Sequence, residues 1–152
     1  STLEHLSFTF AIEGISRACL AQLTRHRVGF SYSVQSQRYV RFGSKDKTGG
    51  FDYVVPKSIQ EHDEALYHDL MDILQRTYDS LREKGVPAED ARMVLPQAAT
   101  TNLILTANLR ALLDFYEKRK KGNGAQAEIA ELAERMKDEV VKVEGWIKPF
   151  FK

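Results

Sequence analysis

An apolar repeat between residues 58 and 84 constrains the fold of this chain more than any other pattern. Its apolar side chains recur at spacings of three and four residues, which is the period of an amphipathic helix. Acidic side chains crowd the first turns, and Arg82, Lys84 and Gly85 close the pattern, as the helix dipole and C-terminal stop signals favour. We therefore expect one long helix whose inward stripe is Leu66, Leu70, Ile73, Leu74, Tyr78 and Leu81.

Strands are indicated where apolar and polar side chains alternate or where β-favouring residues cluster. Residues 6–12 alternate and predict a half-buried strand, and residues 98–107, with their three threonines, predict another. A short strand is predicted over residues 51–55, where it ends before Pro56. The Gly, Ser and Lys content of residues 42–50 predicts a flexible loop.

Further helices are predicted from about Ser16 to Thr24 and over residues 88–93, 108–120 and 125–143. The last helix has an apolar face made of Ile129, Leu132, Ala133, Met136 and Val140. Helices and strands alternate irregularly, so we predict an α+β fold with an antiparallel sheet core and packed helices. A length of 152 residues predicts a single domain, residues 1–152.

The charge balance argues against partners that are recognised by overall charge. The chain has 22 basic and 21 acidic residues and a net charge of +1, so no global field draws it to nucleic acid or membranes. It contains neither a run of about 20 apolar residues nor a secretory leader, and we predict a cytoplasmic protein. The single cysteine, Cys19, lies in an apolar run and is expected to be buried and unreactive. The absence of an initial Met leads us to expect missing upstream residues.

The segment from residue 25 to residue 38 is the richest in chemistry. Arg25, His26, Arg27 and Arg38 bracket several Ser and Gln side chains. Arg presents a rigid fork to phosphate, and hydroxyl and amide groups complete such a shell, so the segment predicts a nucleotide site. On these residues alone, a cluster of surface salt bridges remains an alternative.

The same segment resembles the signature of the flavin-dependent thymidylate synthases, in which Arg-His-Arg is followed, after seven or eight residues, by Ser. Here Arg25-His26-Arg27 is followed after eight residues by Ser36-Gln37-Arg38. Five further motifs resemble the family's in the same order. They are Glu4-His5 with Phe8-Thr9-Phe10, Ala18 with Gln22, Ala91-Arg92 with Leu95-Pro96, Asn108-Leu109-Arg110 with Phe115 and Arg119, and Ala125-Gln126-Ala127-Glu128-Ile129. The resemblance covers nearly the whole chain and implies the fold of that family, without its N-terminal portion.

The resemblance implies the reductive methylation of dUMP to dTMP. In that reaction methylene-tetrahydrofolate gives the carbon, NADPH gives reducing equivalents and FAD mediates. The resemblance also implies a homotetramer whose active sites use residues from more than one subunit. From the charge balance and the lack of a long apolar run, we predict no nucleic-acid or membrane partner.

The resemblance also implies the roles of individual residues. The dUMP-binding residues would be Gln22, Arg25, Val34, Gln35, Ser36, Gln37, Arg38, Arg92 and Arg119. The FAD-binding residues would be Ser1, Glu4, Arg25, His26, Arg27, Asn108, Arg110 and Asp114. Arg119 would be the catalytic residue, because a guanidinium beside uracil lowers the pKa of N3 and pushes electron density toward C5. His and acidic residues are not spaced as metal ligands, so no metal site is predicted.

Several of these side chains also have an ordinary structural explanation. Arg119 suits the C-terminal end of a helix, and Asn108 suits an N-cap, a role compatible with ligand binding. Ser36 has no base beside it in the sequence, so we assign it to substrate positioning rather than to nucleophilic attack. His26 lies between two arginines and is expected to be neutral. Asp114 stands where the family commonly has an uncharged Asn or His.

Two alternative functions remain open from the sequence. Asp114 and the missing N-terminal portion are compatible with a family member that binds nucleotide or flavin without turnover; Val34, where many members have Glu or Gln, is a further departure from the pattern. The Arg cluster with Tyr32 and Tyr39 is compatible with a nucleic-acid-binding module that stacks bases, although the near-neutral net charge argues against it.

Overall fold

The computed structural model describes all residues from Ser1 to Lys152. The strands β1 (Ser7–Ser16), β2 (Phe30–Val34) and β3 (Thr100–Asn108) form an antiparallel sheet in the order β1-β3-β2. The helices are α1 (Arg17–Leu23), α2 (Lys57–Gln60), α3 (Glu64–Glu83), α4 (Ala88–Ala91), α5 (Leu109–Arg119) and α6 (Ala127–Val143). Short 3₁₀ turns cover Thr2–Glu4, Arg92–Val94 and Gly145–Phe150. The predicted α+β class is confirmed.

The chain divides into two compact units. The first unit comprises Ser1–Ile12, Cys19–Ser33 and Leu103–Lys152, and the second comprises Glu13–Ala18 and Val34–Asn102. The assignment of residues 1–152 to a single domain stays a prediction. None of the helices combines the length and the apolar character that crossing a lipid bilayer requires.

The core of the first unit is built from α5, α6 and the end of β3. The predicted apolar face of α6 is confirmed, since all five of its predicted residues are buried. Burying a Val, Leu, Ile or Met side chain of this face contributes about 1.5–3 kcal/mol to the stability of the fold. The side chains with at most 2% exposure include Leu23, Leu105, Leu109, Leu112, Phe115, Ile129, Val140 and Ile147.

The long helix predicted over residues 58–84 is two helices in the structure. The Asp63 carboxylate accepts a hydrogen bond from the backbone N–H of Leu66 at 3.0 Å and caps α3. A capped start satisfies backbone donors that a continuous helix would use internally, so α2 is a separate single turn.

The predicted inward stripe of α3 is only partly right. Met71 and Tyr78 are buried in the core of the second unit. Leu66, Leu70 and Ile73, which were expected to face inward, are 66%, 47% and 50% exposed. Apolar residues lie on two adjacent lines of this helix, and periodicity alone does not tell which line meets the core.

The loop over residues 42–50 is fastened to α3 by side-chain hydrogen bonds. Gln75 donates to the carbonyl oxygen of Phe42 and accepts from the N–H of Phe51, both at 2.9 Å. Asp79 accepts from the backbone N–H and the hydroxyl of Ser44. The strand predicted over residues 51–55 is reduced to one antiparallel bridge between Tyr53 and Ala99.

Candidate functional site

The Arg-His-Arg segment follows the carboxyl end of α1, and Tyr32 holds it there. The Tyr32 hydroxyl lies 2.9 Å from the carbonyl oxygen of Leu23 and 2.6 Å from that of His26, and its proton is shared between them. Burial raises the pKa of Tyr32 to about 12, so the phenol stays a donor. One hydroxyl therefore terminates α1 and fixes the backbone of His26.

Gly29 lets the same segment pass close to the start of α5. Its φ of 73° lies in the left-handed region, and an added Cβ would be 2.7 Å from the Cβ of Ala111 and 2.9 Å from Nδ2 of Asn108. The Gly29 carbonyl oxygen also accepts from the N–H of Asn108 at 3.1 Å. Sequence reasoning missed Gly29, although a glycine just after Arg-His-Arg was itself a signal for a special backbone position.

Asn108 is the N-cap of α5. Its side-chain oxygen accepts from the N–H of Ala111 at 2.8 Å, so the capping interpretation holds. The cap uses the oxygen and leaves the side-chain amide N–H groups available to a ligand. Arg110, two residues further on, is exposed and forms no ion pair.

His26 and Arg119 are joined directly. The Nε–H of Arg119 donates to Nε2 of His26 at 3.1 Å. The imidazole also meets the ring of Phe115 edge-on, with centroids 4.9 Å apart. Burial, followed by the charges of Arg119 and Lys118, lowers the pKa of His26, so the ring is neutral as expected.

Asp114 and Cys19 have clear structural surroundings. The Asp114 carboxylate pairs with Lys118 one turn along α5 at 2.7 Å, which balances the charge that departs from the family pattern. Burial is the main cause that raises the pKa of the Cys19 thiol to about 12. Cys19 is therefore no thiolate nucleophile at neutral pH.

Ser36 shapes its own turn in the second unit. Its Oγ accepts from the N–H of Arg38 at 3.1 Å, and its carbonyl oxygen accepts from the N–H of Val40 at 3.0 Å. No basic side chain hydrogen-bonds to this hydroxyl, which agrees with a positioning role.

Glu89 holds two of the predicted substrate arginines, one by its side chain and one by its backbone. Its carboxylate pairs with Nε of Arg38 at 2.8 Å, and its carbonyl oxygen accepts from Nε of Arg92 at 2.9 Å. Arg17 is close enough to Arg92 for the two positive charges to repel: burial first, and then the charge of Arg92, lower the pKa of Arg17. The Nε atom of Arg17 is buried and has no hydrogen-bond partner. Sequence reasoning did not assign Glu89 or Arg17 a role; the only signal was the spacing of three between Glu89 and Arg92.

The predicted site residues are distributed unequally between the two units. Every predicted FAD residue falls in the first unit, where the 3₁₀ turn between Ser1 and His5, which contains Glu4, packs on α5. The predicted dUMP residues divide. Gln22, Arg25 and Arg119 belong to the first unit, and Val34, Gln35, Ser36, Gln37, Arg38 and Arg92 belong to the second.

Within each unit, the described contacts join only some of these residues. The Nε–H of Arg119 donates to His26, and the Ser36 hydroxyl accepts from the backbone N–H of Arg38. Gln35 pairs through its backbone N–H with the carbonyl oxygen of Asn102 at 2.9 Å. Arg25 and Arg27 are exposed and form no ion pair.

Comparison with known proteins identifies the family. The family model described as thymidylate synthase complementing protein, Thy1, matches residues 1–144. The chain belongs to the Thy1 family. The resemblance seen in the sequence motifs is thereby confirmed.

Curated relatives in the Thy1 family are flavin-dependent thymidylate synthases. That of Geobacter sulfurreducens is 49% identical over 138 residues, which are 90% of this chain and 57% of the relative. That of Pyrococcus furiosus is 43% identical over 155 residues, which cover 100% of this chain and 61% of the relative. The chain thus spans about three fifths of the length of these relatives.

Solved structures agree with the family assignment. Thymidylate synthase X from Helicobacter pylori, with FAD and dUMP, has a TM-score of 0.77 and 28% identity and covers 100% of this chain and 74% of its own. The UMP/dUMP methylase PolB from Streptomyces cacaoi, bound with 5-Br dUMP, has a TM-score of 0.79 and 26% identity. The match covers 93% of this chain and 69% of PolB.

Proposed function

We propose that this chain is the catalytic part of a flavin-dependent thymidylate synthase that converts dUMP to dTMP, with FAD as cofactor and methylene-tetrahydrofolate and NADPH as co-substrates. The observation that carries the proposal is Arg119, which lies within the residues that match the Thy1 family. It is held through Nε by His26, while its terminal amino groups form no hydrogen bond within the chain. Relatives with that activity and a related structure with FAD and dUMP support it.

The residues of the first unit fit FAD by the chemistry of their donors. Arg25, Arg27 and Arg110 are exposed guanidinium groups without ion pairs, and guanidinium groups suit the pyrophosphate of a dinucleotide. The amide N–H groups of Asn108 are left free by the cap, and the exposed Glu4 carboxylate can accept from hydroxyl groups. When bound, FAD would supply the redox chemistry of the reaction.

Arg119 would act on the uracil ring. A guanidinium next to uracil favours ionisation at N3, and the anion has more electron density at C5, the carbon that is alkylated. The group is always charged, so it stabilises this anion without a proton transfer of its own.

Arg38 and Arg92 would bind the anionic end of dUMP. Arg38 now pairs with Glu89 at an exposed position, and an exposed ion pair contributes only about 0–1 kcal/mol. A phosphate, which carries more charge and accepts two guanidinium bonds, can therefore replace the carboxylate. Ser36 would fix the shape of this loop, as its hydrogen bond to Arg38 indicates.

The active form would be a cytoplasmic homotetramer with active sites shared between subunits. The exposed stripe of Leu66, Leu70 and Ile73 on α3 supports self-association, because contiguous exposed apolar side chains on a helix mark contact surfaces. The nucleic-acid alternative has less support, since the Tyr32 ring is stacked on Phe30 and its hydroxyl is bonded to the backbone.

The proposal is tested on the purified protein by its visible spectrum and by dTMP formation. We expect flavin absorption bands that change when dUMP is added. In Arg119→Ala we expect flavin to be retained and turnover to fall at least about 100-fold, as for loss of a charge-stabilising donor. Arg135→Ala, an exposed arginine of α6 paired with Glu131, is the matched control and should turn over normally.

Two results would count against the proposal. The first is a protein that shows no flavin bands even with added FAD. The second is near-normal dTMP formation in Arg119→Ala, which would remove Arg119 from the chemistry. A yellow protein without dUMP-dependent NADPH oxidation would instead favour a non-catalytic member of the family.

A further inference from the structure

The hydrogen bond between Arg119 and His26 defines the protonation state of the imidazole. Arg119 is always a donor, so Nε2 of His26, 3.1 Å from Nε of Arg119, must be the unprotonated acceptor. The single ring proton of the neutral imidazole is then on Nδ1. The contact exists only in this tautomer, because a protonated Nε2 would direct a hydrogen atom at another.

The surroundings of His26 favour that neutral state. The charged groups that face it are Arg119, Lys118 and Asp114 of α5, together with Arg25. Three of these are cations, and Asp114 is paired with Lys118. With burial as the largest cause, they lower the pKa of His26.

The imidazole is also fixed in orientation. Phe115, which is fully buried, meets it at an interplanar angle of 89°, and Phe30 is 6.1 Å away between centroids. Its backbone carbonyl oxygen is bonded to Tyr32. The acceptor at Nε2 is therefore a rigid point, whereas Arg119 is a long side chain with several rotatable bonds.

We propose that His26 is a positioning residue for Arg119, whose Nε it holds so that both terminal amino groups of the guanidinium point away from the imidazole and remain available to the nucleotide. This inference rests on the proposed function of Arg119. Fixing Nε sets the plane of the guanidinium, since its nitrogen atoms are coplanar. A misplacement of about 1 Å in a reacting group can lower the rate about 100-fold, so such a support affects catalysis.

The tautomer gives a direct test that needs neither flavin nor substrate. The protein has four histidines, and labelling their ring nitrogens with ¹⁵N distinguishes the two tautomers by NMR. His26→Gln identifies the signal of His26 by its loss. At neutral pH we expect a protonated Nδ1 and an unprotonated Nε2; a proton on Nε2 would overturn the proposal.

Two substitutions separate the hydrogen bond from the volume of the side chain. His26→Gln offers an amide oxygen near the position of Nε2, and His26→Leu has similar bulk without an acceptor. We expect kcat, measured at saturating FAD, to fall about 100-fold in His26→Leu and less than about tenfold in His26→Gln. His62→Leu, an exposed histidine of the second unit, is the control. Equal losses in the two variants, or a loss confined to flavin binding, would contradict a positioning role.

A double substitution checks that His26 acts through Arg119. In the Arg119→Ala background, His26→Leu should cost little further activity, because the group that it positions is gone. Independent, multiplying losses would overturn the proposal. A protonated His26 cannot accept the hydrogen bond from Arg119. In a plot of kcat against pH, we therefore expect a loss of kcat at acidic pH in wild type that is absent in His26→Gln.

A further measurement tests the positioning role of His26 even if the proposed function is wrong. If wild-type protein forms no dTMP, the NMR resonance of the Arg119 Nε–H group still reports whether His26 holds Arg119. We expect it to be shifted and protected from exchange in wild type and in His26→Gln, and to become exposed in His26→Leu, with the amide spectrum reporting that each variant is folded. An Nε–H resonance that is the same in all three proteins would overturn the positioning role.

Discussion

Replacing Gly29 by alanine should disturb both the stability and the ligand binding of the protein. Gly29 has a φ of 73°, and its added Cβ would lie 2.7 Å from the Cβ of Ala111 and 2.9 Å from Nδ2 of Asn108. The first of these neighbours is part of the buried start of α5 and cannot move aside as the end of a flexible chain could. The clash would push the segment that follows Arg27 away from α5.

The expected cost has two parts. An L-residue in the left-handed region costs about 1–2 kcal/mol. Overpacking against a fixed neighbour costs about 1–3 kcal/mol more. The free energy of unfolding should therefore fall by about 2–5 kcal/mol in Gly29→Ala.

Gly124 provides a matched control in the same unit. Its φ is also 73°, but no atom lies within 4 Å of its added Cβ. Gly124→Ala should therefore show only the backbone cost of about 1–2 kcal/mol. Urea unfolding of both variants isolates the packing cost as the difference between them, and flavin binding should weaken only in Gly29→Ala.

Equal free energies of unfolding in the two alanine variants would refute this reasoning. That result would mean that the close approach of Gly29 to α5 does not exist or relaxes freely. Normal flavin and dUMP affinity in a folded Gly29→Ala protein would likewise separate the Gly29 contact from the candidate site.

Three further substitutions or modifications test individual contacts. Tyr32→Phe should destabilise by about 1–2 kcal/mol through lost hydrogen bonds. The raised pKa of Tyr32 means that the neutral phenol stabilises the folded protein fully below pH 10 and that this stabilisation is lost as the pH rises through about 12. The free energy of unfolding should therefore depend less on pH between about 10 and 12 in Tyr32→Phe than in wild type. Asn108→Asp should keep the cap and weaken flavin binding, whereas Asn108→Ala should also lose about 1 kcal/mol of stability in urea titrations. Cys19 should react with thiol reagents at pH 8 only as fast as the protein unfolds, and faster labelling would contradict its burial.

Local sequence signals predicted the elements whose partners are local. α5 and α6 begin and end within about two residues of the predicted helices because cap residues and an apolar face of period 3.6 are both present there. β3 was recognised from its β-favouring composition. The break between α2 and α3 was missed because an Asp within a run of acidic residues does not reveal by itself that it caps a helix.

The motif resemblance predicted the residues of the candidate site but not their contacts. Order and spacing along the chain pointed to Arg25, His26, Asn108 and Arg119. Neither order nor spacing shows that His26 and Arg119, 93 positions apart, share a hydrogen bond. That contact requires the segment after α1, which contains His26 and Gly29, to pack against α5, and periodicity does not encode such a tertiary contact.

The role of Glu89 was missed for the same reason, because it depends on tertiary contacts that the sequence does not show. A glutamate in a short helix is ordinarily a solvated side chain, yet here one residue fixes two guanidinium groups, Arg38 through its carboxylate and Arg92 through its carbonyl oxygen. Its carboxylate contact is exposed and easily exchanged, whereas its carbonyl contact remains after exchange. An arriving phosphate would thus release Arg38 from Glu89 while Arg92 stays oriented. In the first unit Arg119 is held by a neutral acceptor, His26, which offers no ion pair for an arriving anion to replace. The two kinds of support therefore suit the two roles that we propose: exchangeable binding of a phosphate by Arg38, and a fixed guanidinium of Arg119 beside uracil.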